Sequence, residues 1–217
     1  MVDLCLGSAE RPLRRILCLG SHCDDIEIGC GGTILRLLRD HPELEIYWLV
    51  FSSTPLRKKE AARAANLFLA SGKKKKVVIR NYRDSFFPSQ QSQIKGEFEK
   101  LKKEFTPDMI LTHYRHDLHQ DHRVICELTW NTFRDHLILE YEIPKYDGDL
   151  GSPNLFVELK ESVCRTKFGY LREAFASQRE KHWFKEEVFS ALMRLRGMEA
   201  GSSTRFAEAF YARKFRF

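Results

Sequence analysis

Short apolar runs alternate with helix-forming segments along this 217-residue chain. The runs have the length of buried strands, and the segments between them have helical periodicity or composition. This alternation predicts βαβ units with right-handed crossovers, and therefore an α/β sandwich of the doubly wound type. We expect strands at 16–19, 44–51, 77–79, 109–111, 136–142, 154–158 and 209–211, and helices from 34 and at 60–70, 94–105, 124–133, 162–177 and 183–196.

No linker, internal repeat or low-complexity segment interrupts the pattern, so a single domain is predicted over residues 1–217. The stretch 81–93 is predicted to be a loop. The basic run Lys73–Lys76 is predicted to be a solvated turn before the third strand.

Polar side chains are concentrated in two turns, each directly after a predicted strand. The first turn contains His22, Asp24 and Asp25 and leads into a helix. The second turn, 112–123, contains histidines at 113, 116, 119 and 122 and aspartates at 117 and 121. Because parallel strands end at one edge of a sheet, the two turns are expected to face each other there and to form the active site. Carboxylates crowded in this way are costly unless a cation or a proton offsets them, and a metal ion is the simplest solution.

The residue types favour a catalytic metal site over two alternatives. Two histidines and one carboxylate are a common ligand set for catalytic zinc. A dinucleotide-binding turn needs G-x-G-x-x-G, whereas this turn places carboxylates where a pyrophosphate would bind. A structural metal site is usually closed and rich in cysteine. Isolated histidines are more often ordinary polar residues, an interpretation applied to His41, His136 and His182, whereas His113 and His116 stay undecided.

Three motifs together resemble the LmbE/PIG-L family of zinc-dependent deacetylases: His22-x-Asp24-Asp25, Gly29-Cys30-Gly31-Gly32-Thr33 and His119-x-Asp121-His122-Arg123. The resemblance covers nearly the whole chain. It implies a Rossmann-like three-layer sandwich with a mainly parallel sheet, and hydrolytic removal of an acetyl group from an N-acetylated amino sugar or sugar conjugate. Zinc is the implied cofactor, although Fe²⁺ and other divalent ions also accept these ligand types.

The resemblance also implies a role for each motif residue. The implied metal ligands are His22, Asp25 and His122. Asp24 would be the general base that takes a proton from the attacking water, and His119 would assist the tetrahedral intermediate and the leaving amine. Asp121 would hold a histidine in the correct tautomer. The residues implied to contact sugar hydroxyls are Arg57 and Asp84.

The first motif departs from the family's usual His-Pro-Asp-Asp-Glu. Cys23 replaces the proline, Ile26 replaces the glutamate, and Glu27 stands one position later. The ligands and the base are intact, so the chemistry is expected to survive, and Cys23 is interpreted as a small buried filler. Asp117 stands where some members carry a tyrosine, so that hydroxyl donor is either lost or supplied by another group.

Two other functions are left open by the sequence. One is an amidase or deacylase acting on a non-sugar amide, and the other is a binding module that keeps the fold without catalysis. The presence of both aspartates and both histidines of the implied site disfavours the second.

Composition limits the partners and the location. The net charge is +6, but no nucleic-acid-binding motif accompanies the basic run, so nucleic-acid binding is not expected. The six cysteines show no paired spacing, no apolar run approaches the roughly 18 residues of a membrane helix, and Met1–Ala9 does not resemble a secretory signal. A cytoplasmic protein is therefore expected, and the family resemblance would agree with a homo-oligomer.

Overall fold

The computed structural model describes residues 12–215. In this part of the chain, seven strands form one sheet in the order β3-β2-β1-β4-β5-β7-β6. The pairs among β1 to β5 are parallel, and β7 is antiparallel to both β5 and β6. The strands are β1 Arg15–Gly20, β2 Glu45–Ser52, β3 Lys74–Tyr82, β4 Met109–His113, β5 Leu137–Tyr141, β6 Leu155–Glu158 and β7 Ala207–Ala212.

Helices cover both faces of this sheet. They are α1 Asp25–Asp40, α2 Pro55–Phe68, α3 Phe87–Glu104, α4 Gln120–Thr132, α5 Glu161–Ala174 and α6 Glu186–Glu199. Side chains alternate along β1, so Ile16 and Cys18 pack with α1, α2, α5 and α6, whereas Leu17 and Leu19 pack with α3 and α4. The predicted three-layer α/β sandwich with a mainly parallel sheet is therefore confirmed. Between residues 12 and 215, no helix combines the length and apolar character that crossing a membrane requires.

The predictions between β2 and α3 were wrong in two places. β3 begins at Lys74, so the lysines at 74–76 belong to a strand instead of a turn. They charge the edge of the sheet, which discourages pairing with another chain. α3 begins at Phe87, which leaves only the turn 83–86 of the predicted loop 81–93. The first half of α3 buries only Phe87 before Ile94, so its apolar periodicity was too weak to indicate a helix.

Helix α1 is kinked at Cys30, whose φ of −143° is not helical. The kink leaves backbone N–H groups without helical partners in the interior. The buried carboxylate of Glu208 accepts hydrogen bonds from two of them, Gly32 N–H at 2.8 Å and Thr33 N–H at 2.7 Å. Lys167, which is also buried, neutralises Glu208 at 2.7 Å and donates to the Ile28 carbonyl. The glycine-rich motif therefore lets α1 bend and pack closely, as its glycines suggest.

Gly29 is expected to tolerate no side chain. A Cβ there would lie 2.2 Å from the Tyr141 ring, whereas a Cβ on Gly169 of α5 would meet nothing within 4 Å. Gly29→Ala should lower the free energy of unfolding by about 1–3 kcal/mol through overpacking. The matched control Gly169→Ala should raise it by up to about 1 kcal/mol because alanine is the better helix former. Urea unfolding measures both, and equal stabilities of the two variants would contradict this packing.

Candidate metal site

Four turns at the carboxyl edge of the sheet bring the polar residues together. They follow β1, β2, β3 and β4 and lead into α1, α2, α3 and α4. The strand order reverses at β1, which lies between β2 and β4, and open α/β sheets place their sites at such a switch point. The motif that starts at His22 leads into α1 and the motif that starts at His119 leads into α4, so both predicted turns meet there.

Three potential metal donors converge between these turns. His22 Nδ1 lies 3.2 Å from His122 Nε2 and 3.4 Å from Asp25 Oδ2. His122 Nε2 lies 3.6 Å from Asp25 Oδ1. Ligands held tetrahedrally at 2.0–2.1 Å from a zinc ion are about 3.3–3.4 Å apart. The spacing of the donors therefore suits a single ion.

The far ring nitrogens of the two histidines face carboxylates. His122 Nδ1 lies 2.8 Å from Asp117 Oδ2, and His22 Nε2 lies 3.2 Å from Asp121 Oδ2 and 3.1 Å from Asp84 Oδ1. Ionised carboxylates only accept hydrogen bonds, so these nitrogens carry protons and the near nitrogens present lone pairs to each other. Two lone pairs beside the Asp25 carboxylate repel unless a proton or a metal ion lies among them, so the arrangement can accept a cation at this point.

The pKa values reflect the same crowding. Burial lowers the pKa of His22, but the Asp25, Asp121 and Asp84 carboxylates outweigh it and raise the pKa well above its usual value. Burial, with the neighbouring His113, lowers the pKa of His122 to about 3. His122 is therefore a neutral imidazole at physiological pH, as a ligand must be, whereas His22 competes for a proton where a metal ion would bind.

Several other groups of potential ligands overlap with this one in the described part of the chain. Their ligand atoms lie within 4.8 Å of one another, and the groups are His22/His119/His122, Asp25/His113/His122 and His22/Asp84/Asp121. We favour His22, Asp25 and His122 as the ligand set. Nδ1 of His22, Nε2 of His122 and the Asp25 carboxylate face one point, while the far ring nitrogens of both histidines are hydrogen-bonded to other carboxylates.

Two residues behind the donors were not assigned by the sequence. Asp117 accepts from His122 Nδ1, from the His119 backbone N–H at 2.8 Å and from Lys145 Nζ at 2.9 Å. His113 is fully buried, its ring stacks on His122 at 3.9 Å, and its Nε2 lies 3.2 Å from Asp25 Oδ2. The second turn, 112–123, has four histidines and two aspartates, and spacing alone does not distinguish a ligand from a residue that orients one.

Asp24 lies beside the donors and is almost fully buried. Burial raises its pKa, and the guanidinium of Arg57, 2.9 Å from Oδ2, opposes this rise. Arg57 also lies 2.7 Å from Glu60 Oε2, and Glu60 accepts from the backbone and hydroxyl of Ser177. Arg57 is thus held between two carboxylates, and its contact with Asp24 was not predicted.

Asp84 and His119 lie at the open side of the site. The Asp84 side chain is 68% exposed, and its hydrogen bond to His22 lowers its pKa to about 2. His119 Nδ1 accepts the Asp121 backbone N–H at 3.2 Å, and its ring lies 4.8 Å from that of His22. The His119 proton is therefore on Nε2, which leaves that nitrogen as a donor.

The departures from the first motif lie in the interior. The Cys23 thiol is buried, donates to the Ser52 carbonyl at 3.3 Å, and burial raises its pKa to about 12, so it is an inert filler. Ile26 is fully buried, and Glu27 is buried with neither carboxyl oxygen hydrogen-bonded to a described residue. Burial raises the pKa of Glu27 well above its usual value, which favours the protonated carboxyl.

The fold and the site together define a doubly wound α/β protein with a histidine and carboxylate cluster of the metal-binding type. A family model described as GlcNAc-PI de-N-acetylase, PIG-L, matches residues 17–133, which include all three motifs. The chain belongs to the PIG-L (LmbE-like) family, and the resemblance inferred from the motifs is confirmed.

A curated relative and a solved structure are similar to this chain over most of its length. The uncharacterized deacetylase YaiS of Escherichia coli (strain K12) is 24% identical over 183 residues, which are 80% of this chain and 97% of YaiS. The N,N′-diacetylchitobiose deacetylase of Pyrococcus horikoshii, solved with an inhibitor, superposes with a TM-score of 0.73 at 21% identity, covering 93% of this chain and 84% of that one.

A protein named for a reaction other than deacetylation has the same fold. GalB, the 4-carboxy-2-hydroxymuconate hydratase of Pseudomonas putida KT2440, superposes with a TM-score of 0.72 at 15% identity, covering 94% of this chain and 98% of that one. The fold alone therefore does not define the reaction, which has to be argued from the site.

Proposed function

We propose that this protein is a zinc-dependent N-deacetylase that hydrolyses the acetamide of an N-acetylated amino sugar or of a conjugate of one. The observation that carries the proposal is the convergence of His22 Nδ1, His122 Nε2 and the Asp25 carboxylate at spacings of 3.2–3.6 Å, beside Asp24. Family membership and the deacetylases among the similar proteins support the same reaction.

His22, Asp25 and His122 would hold the ion, which would supply Lewis acidity toward a water molecule and the acetyl carbonyl oxygen. Two imidazoles and one carboxylate suit zinc, and Fe²⁺ accepts the same donors. Asp121 and Asp117 keep the protons of His22 and His122 on the far ring nitrogens, so the near nitrogens stay free to bind.

Asp24 acts as the general base in this proposal. Its carboxylate receives a proton from the attacking water. Burial raises the pKa of Asp24, and the adjacent Arg57 guanidinium opposes that rise and favours the ionised form. His119 Nε2, the protonated nitrogen of a neutral ring, stabilises the oxyanion by donation, and the proton that Asp24 took from the water then passes to the departing amine. Asp84 presents an exposed carboxylate that can accept hydrogen bonds from sugar hydroxyls.

Arg57 is expected to favour the ionised form of the base, Asp24, in addition to its implied contact with the substrate. Without its positive charge the pKa of Asp24 rises further, so a smaller fraction of Asp24 is ionised at neutral pH and kcat falls. Arg57→Ala should lower kcat by about tenfold at pH 7, with the acid limb of the kcat–pH profile displaced to higher pH. Arg63→Ala, on an exposed position of the same helix, is the control. A kcat–pH profile unchanged in Arg57→Ala would assign Arg57 to substrate binding alone.

Acetate release tests the function directly. Protein loaded with zinc should release acetate from at least one of N-acetylglucosamine, N-acetylgalactosamine or N,N′-diacetylchitobiose, and chelator treatment should abolish the release until zinc is restored. Hydrolysis of N-acetyl amino acids only would support the amidase alternative. Zinc binding with no hydrolysis of any amide would refute the proposed reaction.

A further inference from the structure

Ser85 has a backbone conformation that a serine rarely adopts. Its φ is +65°, and the one other non-glycine residue with positive φ between residues 12 and 215 is Arg205, in the connection from α6 to β7. Left-handed conformations are disfavoured for residues with a Cβ, and they persist where the surrounding structure imposes them. Ser85 lies in the turn 83–86 between β3 and α3, at the open side of the candidate site.

Contacts from Gln120 and Asp121, at the start of α4, impose this conformation. The Ser85 N–H donates to Asp121 Oδ2 at 2.6 Å, and the Phe87 N–H donates to Asp121 Oδ1 at 3.0 Å. The Gln120 amide donates to the Ser85 carbonyl at 2.5 Å. Asp121 is fully buried and also faces His22, so one carboxylate joins the turn to an implied ligand.

Burial of apolar side chains does not explain the strained turn. All four residues of the turn 83–86 are exposed, and Phe86, the largest apolar one, is 42% exposed. What the turn does achieve is the placement of Asp84. Its carboxylate lies 3.1 Å from His22 Nε2 and accepts the Ser85 hydroxyl at 3.1 Å, while most of the side chain faces solvent.

We propose that Ser85 is a positioning residue for substrate recognition, whose left-handed conformation holds the Asp84 carboxylate at the mouth of the site to receive sugar hydroxyls. The inference rests on the proposed function and names a residue outside the implied motifs. It also narrows the class of substrate. A fixed carboxylate at the mouth of the site accepts hydrogen bonds from the hydroxyls of a neutral sugar and repels a sugar that carries an anionic group at that point.

The test compares Ser85→Val with Ser85→Gly. Valine is strongly disfavoured at positive φ, so Ser85→Val should displace the turn and raise the KM for N,N′-diacetylchitobiose or N-acetylglucosamine about five- to tenfold. Because this contact is the same in the ground and transition states, kcat and zinc content should change less than about twofold. Glycine adopts positive φ freely, so Ser85→Gly should keep KM within about threefold of wild type despite the lost hydroxyl. Arg205→Val carries the same backbone strain away from the site and is the control.

A double-mutant cycle separates positioning from mere stability. If Ser85 acts through Asp84, adding Ser85→Val to Asp84→Asn should raise KM less than twofold further. An unchanged KM in Ser85→Val, or a full and additive increase in the Asp84→Asn background, overturns the inference while leaving the proposed function intact. Wild-type protein that hydrolyses no N-acetyl amino sugar overturns both.

Discussion

Asp24→Asn is expected to lower kcat by about 10²- to 10⁴-fold, the usual contribution of a positioned general base. Asparagine keeps the shape of the side chain, and its amide does not take a proton from water. Asp24 is not among the three converging donors, so the variant should still bind about one equivalent of zinc. Acetate release and metal content, measured on the same preparation, check both parts.

The control for this variant is Asp40→Asn. Asp40 lies at the other end of α1, is largely exposed and pairs with Arg39, so its loss should leave kcat unchanged. Turnover of Asp24→Asn within a factor of three of wild type would remove Asp24 from the role of base. Loss of zinc together with turnover would instead place Asp24 among the ligands.

His122→Ala is expected to abolish stable metal binding. Its Nε2 is one of three converging donors, and the remaining pair, His22 and Asp25, leaves the site open on the side of α4. Zinc affinity should fall by more than about 10- to 100-fold, which is the usual loss when a residue that only orients a ligand is replaced. Competition with a chromophoric chelator measures it, and wild-type protein purified without chelator should contain about one divalent ion per chain.

Two variants make the His122 result specific. His116→Ala alters an exposed histidine of the same segment and should leave zinc affinity unchanged. Asp117→Asn keeps His122 but replaces the carboxylate behind it, and should weaken zinc binding by about 10- to 100-fold. Full zinc occupancy in His122→Ala would exclude this histidine and favour a ligand set that includes His113 or His119.

Most of the sheet was predictable because the signals for it are local. Apolar runs such as 16–19 and 44–51 exclude water over a strand length wherever they lie in the chain, and helix formers fill the segments between them. The prediction of where α3 starts was wrong because the local signal is missing there. Residues 87–93 are mostly polar, and their helical state depends on packing by Phe87 and on the Asp121 carboxylate that accepts the Phe87 N–H. The kink of α1 depends on Glu208, which is 176 residues away from Gly32 in sequence.

By itself, the sequence determined the fold class, the family and the edge of the sheet at which the chemistry lies, because each depends on residue types at short spacing along the chain. Only the tertiary structure decided which atoms meet: Nδ1 of His22 with Nε2 of His122, Asp117 and Lys145 behind one ligand, Arg57 against Asp24, and Ser85 held by Asp121. These contacts join turns that follow different strands. Hydrogen bonds and charge interactions act over a few ångströms in space, and the distance in sequence between two residues does not specify them.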